Sequence, residues 1–143
     1  MSGTVTLSEA LDLLASRKTV VLATCSGSGP ALRPMTLQVR EGRIFMLTFP
    51  DSPKVDHVRR NPRCQIYADL AEGENQGFVR LSCTPEVIAD PSLRKAVFTQ
   101  APYARTFWES SDDPRFCLLG FSPVGGDVLK PGEMYTRTIT MEM

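Results

Sequence analysis

The sequence predicts a single α+β domain that is mainly β: an antiparallel barrel of six or seven strands with helices beside it. Most strand-like segments follow one another through links of turn length, which favours antiparallel pairing. Helical patterns interrupt them at only a few places. The 143 residues, of which 42% are hydrophobic, fit one domain with its own core. We expect this domain to span 1–143, with 1–6 and 134–143 as loose or edge segments.

The first half of the chain carries clear start and stop signals. Thr6 and Ser8 are alternative N-caps of the first helix, and Glu9 completes a capping box with Thr6. Ser52 and Pro53 suit the N-cap and first position of the second helix. The predicted elements are a helix at 7–16, strands at 19–25, 31–40 and 44–49, and a helix from 53 that stops before 61.

The second half continues the pattern of strands and short helices. Pro85 predicts a bulge in the fifth strand. Asp90 and Pro91 begin a third helix, and Phe107 and Trp108 lie in a loop or a further short helix. The predicted elements are strands at 63–69 and 77–88, a helix at 91–101, a strand at 116–122 and a last strand within 134–141.

Charge and composition exclude several classes of function. Sixteen basic and sixteen acidic residues cancel, so no overall field attracts nucleic acid or an anionic membrane. No apolar run is long enough to span a membrane, and no signal-peptide pattern is present. Four scattered cysteines and one histidine supply no metal-ligand spacing. We expect free, mostly buried thiols, a cytoplasmic protein and no metal.

The densest polar cluster lies between Arg33 and Lys54. Arg33 is on the second predicted strand, Thr48 ends the third, and Ser52 and Lys54 open the second helix. A helix N-terminus, a hydroxyl and two cations can together hold a phosphate. Each residue also has an ordinary interpretation, as a helix-start residue or a solvated lysine. For His57 we expect a solvated or capping role.

These segments, read in order, resemble the pyridoxamine 5′-phosphate oxidase-like superfamily of FMN-binding split barrels. The chain is most similar to the short general-stress-protein type. The resemblance covers about 7–122. It rests on ALRPMT at 31–36, GRIFMLT at 42–48, SPK at 52–54, RRNPR at 59–63, FVRLS at 78–82, ADP at 89–91 and DDPRF at 112–116.

The resemblance implies FMN held at the interface of a homodimer. It assigns the phosphate to Arg33, Ser52 and Lys54. Other implied cofactor contacts are the backbone of Pro34, Met35 and Thr36 at the isoalloxazine ring and Leu47 and Thr48 over the flavin. Trp108 is the candidate contribution from the partner chain, with a core tryptophan as the equal alternative.

The chain also departs from the family pattern. Proline at position 53 replaces a frequent arginine, and Phe78 replaces a common glutamine. The C-terminal arginine segment of true pyridoxamine phosphate oxidases is missing, so we do not expect that activity. The expectation is an FMN-dependent oxidoreductase with a small-molecule redox substrate and no assigned catalytic side chain. The alternatives are F420 or FAD as cofactor, or a non-catalytic flavin- or haem-binding protein.

Overall fold

The computed structural model describes residues 3–143. Over these residues the chain forms nine strands and four helices. In chain order they are β1 (Thr4–Thr6), α1 (Leu7–Ala15), β2 (Val20–Ser26), β3 (Gly29–Met35), β4 (Gln38–Arg40), β5 (Arg43–Thr48), α2 (Pro53–Arg60), β6 (Cys64–Asp69), β7 (Phe78–Val87), α3 (Pro91–Gln100), α4 (Ala104–Phe107), β8 (Cys117–Leu129) and β9 (Arg137–Thr140).

All nine strands belong to one sheet. Its main path runs β1-β9-β8-β7-β6-β2-β3, while β5 pairs with β8 and β4 pairs with β5. Every pair is antiparallel except β1 with β9. The path has two free ends, so the sheet curls without closing. This confirms the predicted mainly β fold with flanking helices, as a split barrel.

The strand count exceeds the predicted six or seven for two local reasons. The predicted strand 31–40 changes partners after Met35, because β3 pairs with β2 whereas β4 pairs with β5. Between them the side chain of Leu37 is buried in the core. The predicted strand 116–122 continues to Leu129, and the N-terminal segment adds β1, which pairs with Arg137–Thr140. The N-terminal strand β1 therefore lies at an edge of the sheet, while β9 lies between β1 and β8.

The predicted bulge at Pro85 was wrong in position. Pro85 pairs regularly with Phe121, and the register shifts instead between Ser82 and Cys83 of β7. Ser82 pairs with Gly125 and Cys83 with Pro123, which leaves Val124 as the extra residue. Pro123 has no N–H to give to the ladder, so the irregularity lies on β8.

The helices begin where the capping signals predicted. Thr6 accepts a hydrogen bond from the Glu9 N–H at 3.1 Å, and Asp90 accepts one from Ser92 at 3.0 Å. These bonds satisfy N–H groups that have no partner within the helix. None of the helices in residues 3–143 is both long and apolar enough to cross a membrane.

Strand β5 separates two hydrophobic clusters. Ile44 and Met46 face the larger cluster, which is formed with α1 and the barrel strands. Phe45 and Leu47 face the smaller one, formed with α3, α4 and the start of β8. As predicted from its unbroken apolar run, β5 is buried on both faces. This fixes its end, Thr48, and the chain that leads into α2.

Candidate phosphate-binding site

Arg33 is held on the inner side of the barrel by β2. In the antiparallel register Arg33 pairs with Leu22. Its Nη1 donates to the Thr24 hydroxyl at 2.7 Å and to the Leu22 carbonyl at 3.3 Å. Among the described residues these are its only side-chain hydrogen bonds, so Nε and Nη2 are left as donors. A guanidinium edge of this kind can bind an oxyanion in bidentate fashion.

Lys54 lies in the first turn of α2 and reaches back to two hydroxyls. Its Nζ donates to Ser52 Oγ at 2.7 Å and to Thr48 Oγ1 at 3.1 Å. Ser52 has the extended backbone of an N-cap but makes no side-chain capping bond. The serine hydroxyl therefore accepts a hydrogen bond from Lys54 instead of from a backbone N–H of the helix. Both hydroxyls retain a proton that can be donated to a ligand.

The two cations are close together and lack acidic partners. Burial lowers the pKa of Lys54, and the nearby charge of Arg33 lowers it further. Burial also lowers the pKa of Arg33. Within residues 3–143 neither forms an ion pair, whereas six other cations do. A bound anion would relieve both the mutual repulsion and the cost of desolvation.

The sequence reasoning missed two further members of the cluster, Thr24 and His57. Thr24 Oγ1 lies 2.8 Å from His57 Nδ1, and Thr24 is only 2% exposed. His57 is half-buried, and its contact with Thr24 was not part of the predicted solvated or capping role. The signal was present in the helix period, since positions 54 and 57 share one face of α2. The partner on β2 depends on tertiary packing, which the local sequence does not report.

The remaining predicted cofactor residues lie elsewhere around the strand ends. Pro34 and Thr36 are exposed, Met35 is half-buried at the end of β3, and Leu47 is buried in the smaller cluster. Thr36 helps to line a cavity of about 620 Å³ that Arg33 and Lys54 do not line. Contact of these four residues with a flavin stays a prediction.

Trp108 lies in the smaller hydrophobic cluster and is 3% exposed. Its indole N–H donates to the Arg115 carbonyl at 2.7 Å, and its ring centroid is 4.9 Å from that of Phe49. These contacts fit the alternative of a core tryptophan. A contribution of Trp108 to a partner's cofactor site stays a prediction.

A second cavity, of about 670 Å³, runs over the sheet formed by β2, β6 and β7. Its lining is mostly apolar and includes Pro30, Val124 and the exposed Cys25. Thr24, which Arg33 contacts, also contributes to its wall. The cluster around Arg33 and Lys54 thus lies next to this groove.

The fold is a split barrel of mostly antiparallel strands, with Arg33 on β3 near Lys54 in the first turn of α2. The family profile described as pyridoxamine 5′-phosphate oxidase matches residues 7–129. The chain therefore belongs to the pyridoxamine 5′-phosphate oxidase family, which confirms the resemblance. No curated protein matches the chain.

Solved structures with the same fold carry different names. A protein related to general stress protein 26 from Clostridium acetobutylicum is 19% identical, with a TM-score of 0.73 over 91% of this chain and 92% of that one. A pyridoxamine 5′-phosphate oxidase-related, FMN-binding protein from Nostoc punctiforme is 20% identical, with a TM-score of 0.66 over 87% and 81%. A haem-binding protein from Mycobacterium smegmatis is 18% identical, with a TM-score of 0.74 over 92% and 57%. At these identities the likeness shows the fold.

Proposed function

We propose that this protein is an FMN-binding flavoprotein and that Arg33, Ser52 and Lys54 hold the cofactor phosphate. The observation that carries the proposal is the adjacent pair of partly buried cations, Arg33 and Lys54, with no carboxylate partner. Nucleic acid and membrane surfaces are not expected partners, because the net charge is zero.

The donor set fits a phosphate ester. The free edge of Arg33 offers two N–H groups, Lys54 offers its ammonium, and Ser52 and Thr48 offer hydroxyl protons. All of these groups can donate to a dianion, and no acidic side chain competes with it within the described residues. Bound FMN would supply hydride and single-electron transfer. The chain's own residues hold the phosphate and orient the ligand at the barrel edge, and an oxidoreductase role follows from that chemistry.

A second copy of the chain is proposed to cover the outer face of the sheet. Leu32 alternates with Arg33 on β3 and is 71% exposed, and Val124 beside the groove is 60% exposed. Apolar side chains exposed along a groove favour an interface. We expect a dimer in solution by light scattering, and Leu32→Glu should convert it to a monomer. A monomeric wild type would contradict the dimer.

The phosphate assignment is tested by comparing FMN with riboflavin, which has the same ring system without the phosphate. Arg33→Ala and Lys54→Ala should each weaken FMN binding by about 1.5–3 kcal/mol, as expected for charge-assisted hydrogen bonds, and leave riboflavin binding unchanged. Arg60→Ala is the matched control, because Arg60 lies on the same helix but pairs with Asp56. If wild-type protein leaves FMN fluorescence and absorption unchanged in a titration, the proposal fails.

Haem binding is the second candidate, favoured by the fold shared with the haem-binding protein from Mycobacterium smegmatis. The chain has a single histidine, and because its Nδ1 is hydrogen-bonded to Thr24, an axial bond to haem iron would have to come from Nε2. A Soret band on haem addition that is lost in His57→Ala would favour haem over FMN. Turnover of NAD(P)H or oxygen by the FMN-loaded protein separates an enzyme from a carrier.

A further inference from the structure

The Thr24 hydroxyl joins the strand that holds Arg33 to the helix that holds Lys54. Thr24 lies on β2 and is almost completely buried. On one side its Oγ1 is 2.7 Å from Arg33 Nη1, and on the other it is 2.8 Å from His57 Nδ1. The hydroxyl oxygen thus contacts both the guanidinium and the imidazole.

Only one direction in this chain of contacts is fixed by chemistry. An arginine guanidinium has donors only, so Thr24 Oγ1 must accept from Arg33. The hydroxyl keeps one proton and a second lone pair, so it can either donate to His57 Nδ1 or accept from it. A neutral histidine that accepts at Nδ1 carries its own proton on Nε2. The 2.8 Å contact is compatible with either tautomer, and in both it links His57 to the hydroxyl that Arg33 contacts.

We propose that His57 is a positioning residue for the phosphate site and acts through Thr24 on Arg33. This inference rests on the proposed function, because Arg33 is assigned there to the FMN phosphate. Lys54 and His57 lie three positions apart on α2, so one helix presents the ammonium to the ligand and also fixes the hydroxyl that orients the guanidinium. A side chain already held in its binding rotamer loses less freedom when a ligand arrives.

The chain offers matched variants that separate this role from simple packing. His57→Leu and Thr24→Val remove the ring nitrogen and the hydroxyl at similar volume. His57→Asn keeps a polar atom near the position of Nδ1, and Thr24→Ser keeps the hydroxyl. We expect His57→Leu and Thr24→Val to weaken FMN binding about tenfold, the upper size of one net hydrogen bond. His57→Asn and Thr24→Ser should bind FMN within about twofold of wild type, as conservative changes that keep the bond.

Riboflavin and a double variant provide the decisive readouts. A positioning role predicts that His57→Leu leaves riboflavin affinity unchanged, whereas loss of packing would weaken both flavins equally and overturn the inference. In an Arg33→Ala background, His57→Leu should cause no further loss of FMN affinity, because its effect passes through Arg33. Independent, additive losses would overturn it as well.

The bond between His57 and Thr24 is tested directly by nitrogen-15 NMR. His57 is the only histidine in the chain, so its signals need no assignment. Either tautomer allows the bond between Nδ1 and Thr24, so the test is Thr24→Val, which should shift the Nδ1 signal. An unchanged Nδ1 signal would overturn the inference. If wild-type protein binds neither flavin, the proposed function fails together with the role of His57. If it binds FMN but His57→Leu binds equally well, only the role of His57 fails.

Discussion

The ammonium of Lys54 lies 2.7 Å from the hydroxyl of Ser52, two residues earlier in the chain. Ser52 occupies the N-cap position of α2, where a serine usually accepts a bond from a backbone N–H in the first turn. Here the side chain makes no such bond. The side chain at the N-cap position thus accepts a hydrogen bond from Lys54 instead of from the helix backbone.

This relationship predicts unequal costs for two capping substitutions. Thr6→Ala removes a capping bond of 3.1 Å at α1, and we expect it to lower the free energy of unfolding by about 1 kcal/mol. Ser52→Ala removes no capping bond and should cost less than about 0.5 kcal/mol, yet it should weaken FMN binding. Urea unfolding and FMN titration measure the two quantities. A cost at Ser52 equal to that at Thr6 would count against this interpretation.

We expect the charge of Lys54, which forms no ion pair within residues 3–143, to destabilise the ligand-free protein. The folded state lowers its pKa below the ordinary value of 10.5, through burial and then through Arg33. The unfolded state therefore binds more protons in this alkaline window, so stability rises as pH climbs from the folded-state pKa toward 10.5. Lys54→Met should remove that rise and leave the ligand-free protein at least as stable at neutral pH.

Lys130→Met is the control for this comparison, because Lys130 forms an ion pair with Glu9. It should not stabilise the protein. Unfolding by urea between neutral and alkaline pH measures both variants. If Lys54→Met destabilises the ligand-free protein more than Lys130→Met does, the two cations of the site do not repel each other as proposed.

The parts of the fold that the sequence predicted correctly depend on local signals. Capping residues and prolines located α1, α2 and α3 within one residue, because these signals act over a few neighbours. The extent of β8 could not be read in this way, since Pro123, Gly125 and Gly126 have the composition of a turn. Their place in a strand is decided by β7, which pairs with β8 from Leu119 to Leu129.

The candidate site likewise combines residues that the local sequence predicts with residues whose contacts depend on tertiary packing. Ser52 and Lys54 lie at a recognisable helix start, so their proximity followed from the local sequence. Arg33 lies within β3, which pairs with β2 and not with the strand that leads into α2, so its position near Lys54 did not follow from the order of elements. Thr24 and His57 are 33 positions apart, and their contact depends on how α2 packs over β2. The helix period shows that Lys54 and His57 share a face of α2, but it does not report how that face packs on β2, so the contact with Thr24 was missed.

Thiol reactivity gives a test of the larger hydrophobic cluster. Burial raises the pKa of Cys64 to about 12 and also raises the pKa values of Cys83 and Cys117. Because the thiolate is the reactive form, we expect no reaction of these three thiols with an aromatic disulfide reagent while the Cys25→Ser protein is folded. In urea all three should react. A rapid thiol in the folded variant would show that one of them is accessible.

Alanine substitution at two neighbouring glycines of β8 should change the free energy of unfolding by very different amounts. Gly126 has φ of +155°, and a Cβ at this position would lie 2.1 Å from the carbonyl oxygen of Arg80 on β7. That neighbour is backbone, so the clash is relieved only by moving a central strand pair. We expect Gly126→Ala to lower the free energy of unfolding by about 3 kcal/mol or more.

Gly125→Ala is the matched control, because a Cβ there would meet nothing within 4 Å and the backbone φ is not positive. It should change stability by less than about 0.5 kcal/mol, as for a surface substitution. Urea unfolding of the two variants measures the difference. Similar stabilities would mean that β7 and β8 are not paired so closely at Gly126. The extension of β8 beyond the predicted strand depends on that close approach, since only a residue without a side chain allows the Arg80 carbonyl so near.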